Sequence, residues 1–351
     1  MEDRTEPAEK KNETLKRRMS PARMLALLGL LLVVIFLVSF SLGRYGVPVP
    51  QVIRILFSRI APLKQTWTAE METVVINIRL PRILIACFVG CALSAAGASF
   101  QGVFQNPMAA PNILGASSGA AFGAALAILL GASTRVITTA AFISSLIAVC
   151  LVFFIAQRAP GLRVVNLILA GIMIGSLFTA GTSYIKLVAD PSDQLPAITY
   201  WMMGSLTGVK LRDVAFVIWP MAIGLIPLFL LRWQINLLTL GDEEARTLGV
   251  NTNRLRFIVI VCATLITAAS VSVSGVIGWV GLVIPHLCRK LVGSNYRYLL
   301  PASMLAGAAF LLLVDDVSRN LLAVEIPIGI LTAFIGAPFF IYLISKREKT
   351  L

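Results

Sequence analysis

The sequence is short of charge. Of its 351 residues only 13% are Asp, Glu, Lys or Arg, while 58% are hydrophobic and the mean hydropathy is +0.87. A water-soluble domain carries roughly a quarter charged residues, so the deficit implies a large surface that faces lipid. Histidine is almost missing: His286 stands alone, which excludes a multi-histidine metal site within one chain. No Gly-rich loop precedes a lysine in Walker A form, so nothing here cradles nucleotide phosphates. Charge is also scarce in the middle of the apolar runs, which argues against the proton relays and charge-coupled ion sites of many secondary transporters. No nucleophile with a neighbouring base lies mid-run, which argues against an intramembrane hydrolase. The five cysteines (Cys87, Cys91, Cys150, Cys262 and Cys288) all lie in or beside apolar runs. Cys87 and Cys91 share a helix face, and small apolar packing explains them better than a metal pair.

What charge there is leans basic, 30 Lys+Arg against 17 Asp+Glu. The bases sit between apolar runs and not on one polar face, so the positive-inside rule accounts for them better than nucleic-acid binding does. Residues 1–23 form a basic polar leader. The apolar run Met24–Phe40 behind it reads as a retained first span and not as a signal peptide. Nine more runs follow: Ile83–Phe104, Ile113–Leu130, Val136–Ala156, Val164–Leu187, Val214–Leu231, Phe257–Ser272, Ile277–Leu287, Leu299–Leu313 and Ile328–Ile344. The eighth of the ten reaches only about 16 Å against a hydrocarbon core of about 30 Å, so it is expected as a partial helix sheltered by protein. The fold class is therefore an all-α polytopic membrane protein with about ten transmembrane helices. Ten spans put both termini on one side. With the N-terminus cytoplasmic, 19 of the 30 basic residues fall inside, which supports cytoplasmic termini.

The connections carry information too. Val49–Phe57 has apolar residues at helical spacing and reads as an interfacial helix. Residues 188–213 read as a short helix with turns at the surface. Residues 232–256 contain Gly241–Asn253, which looks like two short helices: acidic residues open the first, Gly249 supplies a left-handed end, and Asn251 or Thr252 caps the second. Such a pair could dock into another protein or could be a solvated connector. Gly90, Ser94, Ala98 and Gly102, and likewise Gly115, Gly119 and Gly123, repeat every fourth position and allow close helix packing. The Asn106-Pro107 and Pro111 breaks read as helix-ending geometry. His286, next to Arg289 and Lys290, reads as a helix-terminal residue before it reads as a ligand.

Seven segments occur in an order that resembles the FecCD-type permease family, the transmembrane subunits of iron-siderophore, haem and vitamin B12 ABC importers. They are Arg79-Leu80-Pro81-Arg82, Gln105–Gly115, Leu169-Ala170-Gly171, Trp201–Leu206, Gly241–Val250, Gly281–His286, and Glu325–Gly329 leading to Gly336-Ala337-Pro338. The resemblance runs from about Leu42 to Leu343. It implies a vitamin B12 importer-like permease fold, with a ten-span permease domain over residues 24–345, a coupling segment at 232–256 and a cytoplasmic tail at 346–351. It further implies a bacterial cytoplasmic (inner) membrane location and a second permease copy (a homodimer) or a paralogue. Two ATPase subunits that use ATP and Mg would bind below, and an extracytoplasmic substrate-binding protein above. No cofactor is expected in this chain, and it would not itself be an enzyme. By the same resemblance Gly241, Glu244, Ala245, Arg246, Leu248, Gly249 and Val250 form the ATPase coupling helix, and Arg79, Arg82 and Arg319 dock the binding protein by gripping its carboxylates. Arg319 also has Asp315 four residues back, an ordinary helical pair. A pathway is expected along the fifth and tenth spans, where Met173, Ser176, Thr179 and Ser183 share one face of the fifth. The alternative reading is a self-contained secondary transporter or channel.

Overall fold

The computed structural model describes residues 19–59, 61, 64–160 and 163–347. Most of the basic leader and the last residues of the C-terminal tail lie outside the described residues. Among the described residues all regular structure is helical. The helices are α1 (Pro21–Ser39), α2 (Val49–Phe57), α3 (Ala69–Val103), α4 (Ala116–Leu129), α5 (Thr134–Arg158), α6 (Arg163–Val188) and α7 (Gln194–Met202). They continue as α8 (Leu211–Leu230), α9 (Arg232–Leu238), α10 (Asp242–Thr247), α11 (Thr252–Ser274), α12 (Val280–Val292), α13 (Tyr296–Asn320) and α14 (Ile328–Arg347).

Each of the ten apolar runs coincides with a helix. Seven helices, α1, α3, α5, α6, α8, α11 and α13, are long and apolar enough to cross a membrane. Two runs, not one, give short helices. α12 has 13 residues, starting after an irregular stretch from Gly275. α4 has only 14, about 21 Å at helical rise. The run from Ile113 is not helical at its start because Gly115 adopts φ +76, a left-handed conformation that only then releases the chain into α4. The connection before it stays inside the molecule: Pro111 rests on Gly281, and the Ile113 carbonyl faces Gly171. The Asn106 side chain accepts from the Met108 N–H in a turn that ends α3, as the Asn-Pro break implied.

α3 is longer than its apolar run. Thr68 caps its first turn by accepting from Met71 N–H, with Glu70 and Glu72 favouring the dipole. Pro81 has no N–H to give the preceding turn, and the helix widens there: Val74–Arg79 is π-helical, with Leu80 N–H donating to Val75 O. Beyond Pro81 the small-residue face meets its partners. A Cβ on Gly90 would lie 2.2 Å from the Gly307 carbonyl of α13, and one on Gly97 only 1.9 Å from the Gly281 carbonyl of α12. The backbones of α3, α12 and α13 therefore touch where only glycine fits. Gly119 and Gly123 do the same for α4 against Ala148, Ser144 and Ala140 of α5.

The expected pair of short helices at Gly241–Asn253 is one short helix and the start of a long one. Asn251 caps by accepting from Arg254 N–H at 3.0 Å, and no breaker follows until Gly275, so the second helix runs on as α11. Helices α2 and α7 form over the stretches where the sequence placed short helices.

Candidate functional site

Three places gather the residues singled out above. The first is a cluster of charges where the end of α1, the π-helical turn of α3 and the end of α13 meet. Arg79, Arg82 and Arg319 are each under a tenth exposed. Arg82 donates from Nε to both oxygens of the fully buried Asp315 at 2.9 and 3.0 Å, and from Nη1 to both oxygens of Glu325 at 3.0 Å. Arg319 pairs with Asp316 and donates to the Ser39 carbonyl at 2.9 Å, while its separation from Asp315 is 3.9 Å. Arg79 donates to the carbonyls of Phe40 and Tyr45, and Ser39 Oγ donates to Asp316. Three cations and three anions thus balance within the chain. Within the chain, carboxylates hold Arg82 and Arg319, and the carbonyls of Phe40 and Tyr45 hold Arg79, so all three guanidinium groups are engaged. Glu325 went unread as a partner because it lies 243 positions from Arg82, and the Ser39 that donates to Asp316 lies 277 positions from it, separations no local pattern reveals.

Glu325 is the one member of this cluster with substantial exposure. Burial alone would raise its pKa, but the Thr207 hydroxyl at 2.6 Å and the Arg82 guanidinium hold it below the usual 4.5. Through Glu325 the cluster reaches the loop after α7. Here Ser205 N–H donates to Ser274 O, and Ile328 N–H donates to Gly204 O.

The second place is α10, at the opposite end of the bundle. Asp242, Glu243 and Glu244 fill its first turn. Gly249 (φ +80) and Val250 close it, their N–H groups donating to Arg246 O and Ala245 O, as the sequence implied. Arg256 of α11 holds Asp242 at 2.7 Å and keeps its carboxyl below the usual value. Ala245 is fully buried, so it packs α10 onto the bundle. The outward side carries Glu244, Arg246, Gly249 and Leu248, the last 59% exposed, with Gly241 and Val250 half-buried beside them. A large exposed leucine among charges is the pattern of a contact awaiting a partner.

The third place is a cavity of 560 Å³ on the open side of α6. Ser176, Thr179 and Ser183 line it, joined by Ser118 and Gly115 of the α4 start and by Asn112. Met173 is exposed on α6 but does not line it. The three hydroxyls donate to the carbonyls of Ile172, Gly175 and Thr179 at 2.8–3.0 Å, which leaves their lone pairs facing the cavity. No ionisable side chain is in the wall. The surrounding face of α6 is bare: Leu169, Ile172, Leu177 and Tyr184 are all more than half exposed. Asn112 escaped the sequence reading because the loop that carries it is not periodic, and Ser118 because that loop sets where α4 begins and which way it faces.

His286 packs edge-on against Phe339, and among the described residues no group of three or more His, Cys, Asp or Glu could hold a metal ion.

Comparison with known proteins covers nearly the whole chain. The model of the FecCD transport family matches residues 31–346. The molybdate import system permease protein of Haemophilus influenzae is 41% identical over 322 residues, covering 92% of this chain and 95% of its own. The cobalamin import system permease protein of Halobacterium salinarum is 42% identical over 289 residues, covering 82% and 78%. A solved metal-chelate type ABC transporter in an inward-facing conformation is 39% identical, covers 93% of this chain and 99% of its own, and superposes with a TM-score of 0.82.

Proposed function

The chain belongs to the FecCD transport family of ABC importer permeases, and on that premise we propose that it forms half of a membrane pathway for a bulky metal chelate. It is a multi-pass membrane protein and a permease subunit, not an enzyme. The chelate would be an iron-siderophore, haem or corrinoid delivered by a substrate-binding protein, and the membrane the bacterial cytoplasmic one. The observation that carries this reading is the uncharged, hydroxyl-lined cavity on the bare face of α6. A second copy placed against α6 would cover its exposed leucines and close the cavity into a channel, which makes a homodimer the simplest assembly. A wall of lone pairs and methylenes binds weakly, and a conduit must release what it admits.

Size favours a chelate over a bare oxyanion. A cavity of 560 Å³ in each copy is in the range that holds drug-sized molecules. The related molybdate permease makes the oxyanion the specific competitor. Energy would come from two ATPase subunits that bind ATP and Mg and receive α10, with Leu248, Glu244, Arg246 and Gly249 as the contact. Gly241 and Val250 set the helix ends, and Ala245 anchors it. At the other end, the arginine cluster would support binding-protein docking by holding the rim rigid, since Arg79, Arg82 and Arg319 have no free fork to offer.

A self-contained secondary transporter is the rival. Its ion-coupling site would need charge in the pathway, and the charges of the Arg82 cluster do not line the cavity. Reconstituted vesicles decide: uptake of a ferric siderophore, haemin, cobalamin or molybdate that requires ATP and the ATPase subunit supports the proposal. Uptake driven by an ion gradient without ATPase would overturn it.

A further inference from the structure

The segments Gly281–His286 and Gly336-Ala337-Pro338 belong to none of the three places. Trp279, just before the first, packs into the second. Between α11 and α12 the chain turns through residues 275–279, and Val280 N–H donates to Gly278 O at 2.8 Å across Trp279. This is a γ-turn, and its central residue takes φ +69, the rare and strained form for an L-amino acid. Glycine holds such backbone without strain, and the same turn already contains Gly275 and Gly278. A bulky ring kept at the strained position points to a role for the ring itself.

The ring lies on α14. A Cβ on Gly336 would stand 2.5 Å from Trp279 Cβ and Cγ, so the indole fills a notch that only glycine leaves open. Phe340, one turn on, meets the indole with ring centroids 5.9 Å apart, and Phe339 packs on His286 of α12 at 6.1 Å. α12 itself is fixed, because Gly97 and Gly281 bring it onto the backbone of α3. α14 is held differently. Its first turn is tied by main-chain bonds, Ile328 N–H to Gly204 O at 2.8 Å and Gly329 N–H to Met203 O at 3.1 Å, whereas its middle rests on α12 through rings. The other face of α14 borders a cavity of 620 Å³, where Ile330, Phe334 and Ile341 look towards Met202, Met203 and Val276.

We propose that Trp279 is the positioning residue of α14, a wedge whose ring sets how far the helix stands off α12 and so the width of this cavity. The tied first turn is the pivot. At about 1.5 Å per residue, Gly336 lies about 12 Å from Ile328 and Ile341 about 20 Å from it. Removing a ring about 3.5 Å thick lets α14 close on α12 by that much at Gly336 and by about 6 Å at Ile341. The cavity on the far face widens as the helix retreats. The inference rests on the proposed function in one respect, that this cavity beside the tenth span belongs to the pathway.

The test reads the helix position first. Full-length protein, its native cysteines replaced by alanine, carries spin labels at Leu291 of α12 and Ile341 of α14, both exposed. Electron paramagnetic resonance gives the distance between them without substrate. Trp279→Gly keeps the left-handed turn and loses the ring, so the distance should shorten by about 6 Å. Trp279→Phe keeps a ring of the same thickness and should leave the distance as in the parent. An unchanged distance in Trp279→Gly, or equal shortening in Trp279→Phe, overturns the inference and leaves the proposed function standing. Uptake in vesicles with the ATPase subunit is the second readout, using whichever of the four substrates named above the parent transports. Trp279→Gly should lower the maximal rate and leave the half-saturating concentration unchanged, as for a residue that acts through α14 and not on the substrate. An unaltered maximal rate beside a shortened distance would remove the wedge from the pathway and overturn the inference as well.

Discussion

α3 and α6 are equally apolar, yet 78% of the apolar stretch of α3 is buried within the chain and only 22% of that of α6. The difference lies in their small residues. On α3, Gly90 and Gly97 admit the backbones of α13 and α12 to van der Waals contact or closer. On α6, Gly171 meets Ile113 O, but Gly175 has nothing nearer than Ser118 Oγ at 3.7 Å from where a Cβ would stand. One helix is the centre of a finished bundle. The other is a finished helix in an unfinished site, its hydroxyls and leucines facing open space. Hydropathy measures what a helix can bury, and only close packing says whether it has done so within its own chain.

The comparison predicts that damage at α3 is structural and damage at α6 functional. The largest effect is expected from Gly97→Leu, which drives a side chain into the Gly281 carbonyl and should abolish monodisperse protein in size-exclusion chromatography. Gly175→Ala, its counterpart on α6, should purify like the parent. Next is Asp315→Asn at the base of the arginine cluster. Removing one partner of a buried ion pair costs about 3–5 kcal/mol, so its thermal unfolding midpoint should fall clearly, and a wild-type midpoint would break the claim that the cluster holds α3 to α13. Ser176→Phe should behave in the opposite way, lowering uptake at least about tenfold while its stability stays within about 0.5 kcal/mol of the parent, as for a surface substitution.

Leu248→Glu extends the same logic to α10: ATPase binding and uptake should fall with stability unchanged, whereas Ala245→Glu should destabilise the protein first. The smallest effect is electrostatic. Glu325 has a folded pKa below its ordinary 4.5, so its contribution to stability is complete above that value and is lost as pH falls through the lowered one. Glu325→Gln should therefore flatten the acid limb of a stability–pH profile below pH 4.5 and leave neutral stability less affected than Asp315→Asn does.

How much of this could be read from the chain depended on whether the signal was local. The ten apolar runs, the left-handed end at Gly249 and the cap at Asn251 are set by neighbouring residues, and all lie where the pattern put them. The hydroxyl stripe Ser176–Thr179–Ser183 was legible for the same reason, since helical spacing alone aligns it. The start of α4 was not, because a left-handed Gly115 inside an apolar run leaves hydropathy unchanged. Nor was the fate of the arginines: Arg82 finds Asp315 and Glu325 from the far end of the sequence, and only the packing of α3 on α13 makes them neighbours. That Ala245 faces the bundle was not legible, because a six-residue helix is too short for its faces to be told apart by periodicity.

The central claim is that the bare face of α6 lines an aqueous pathway completed by a partner. Single cysteines at Ser176, Thr179 and Ser183, in a chain whose five native cysteines are replaced by alanine, can be probed with a membrane-impermeant maleimide in the assembled transporter. The account predicts labelling at all three positions, with a control cysteine at Ile143 on the exposed side of α5 unlabelled. Protection of all three α6 positions alongside labelling at residue 143 would contradict it.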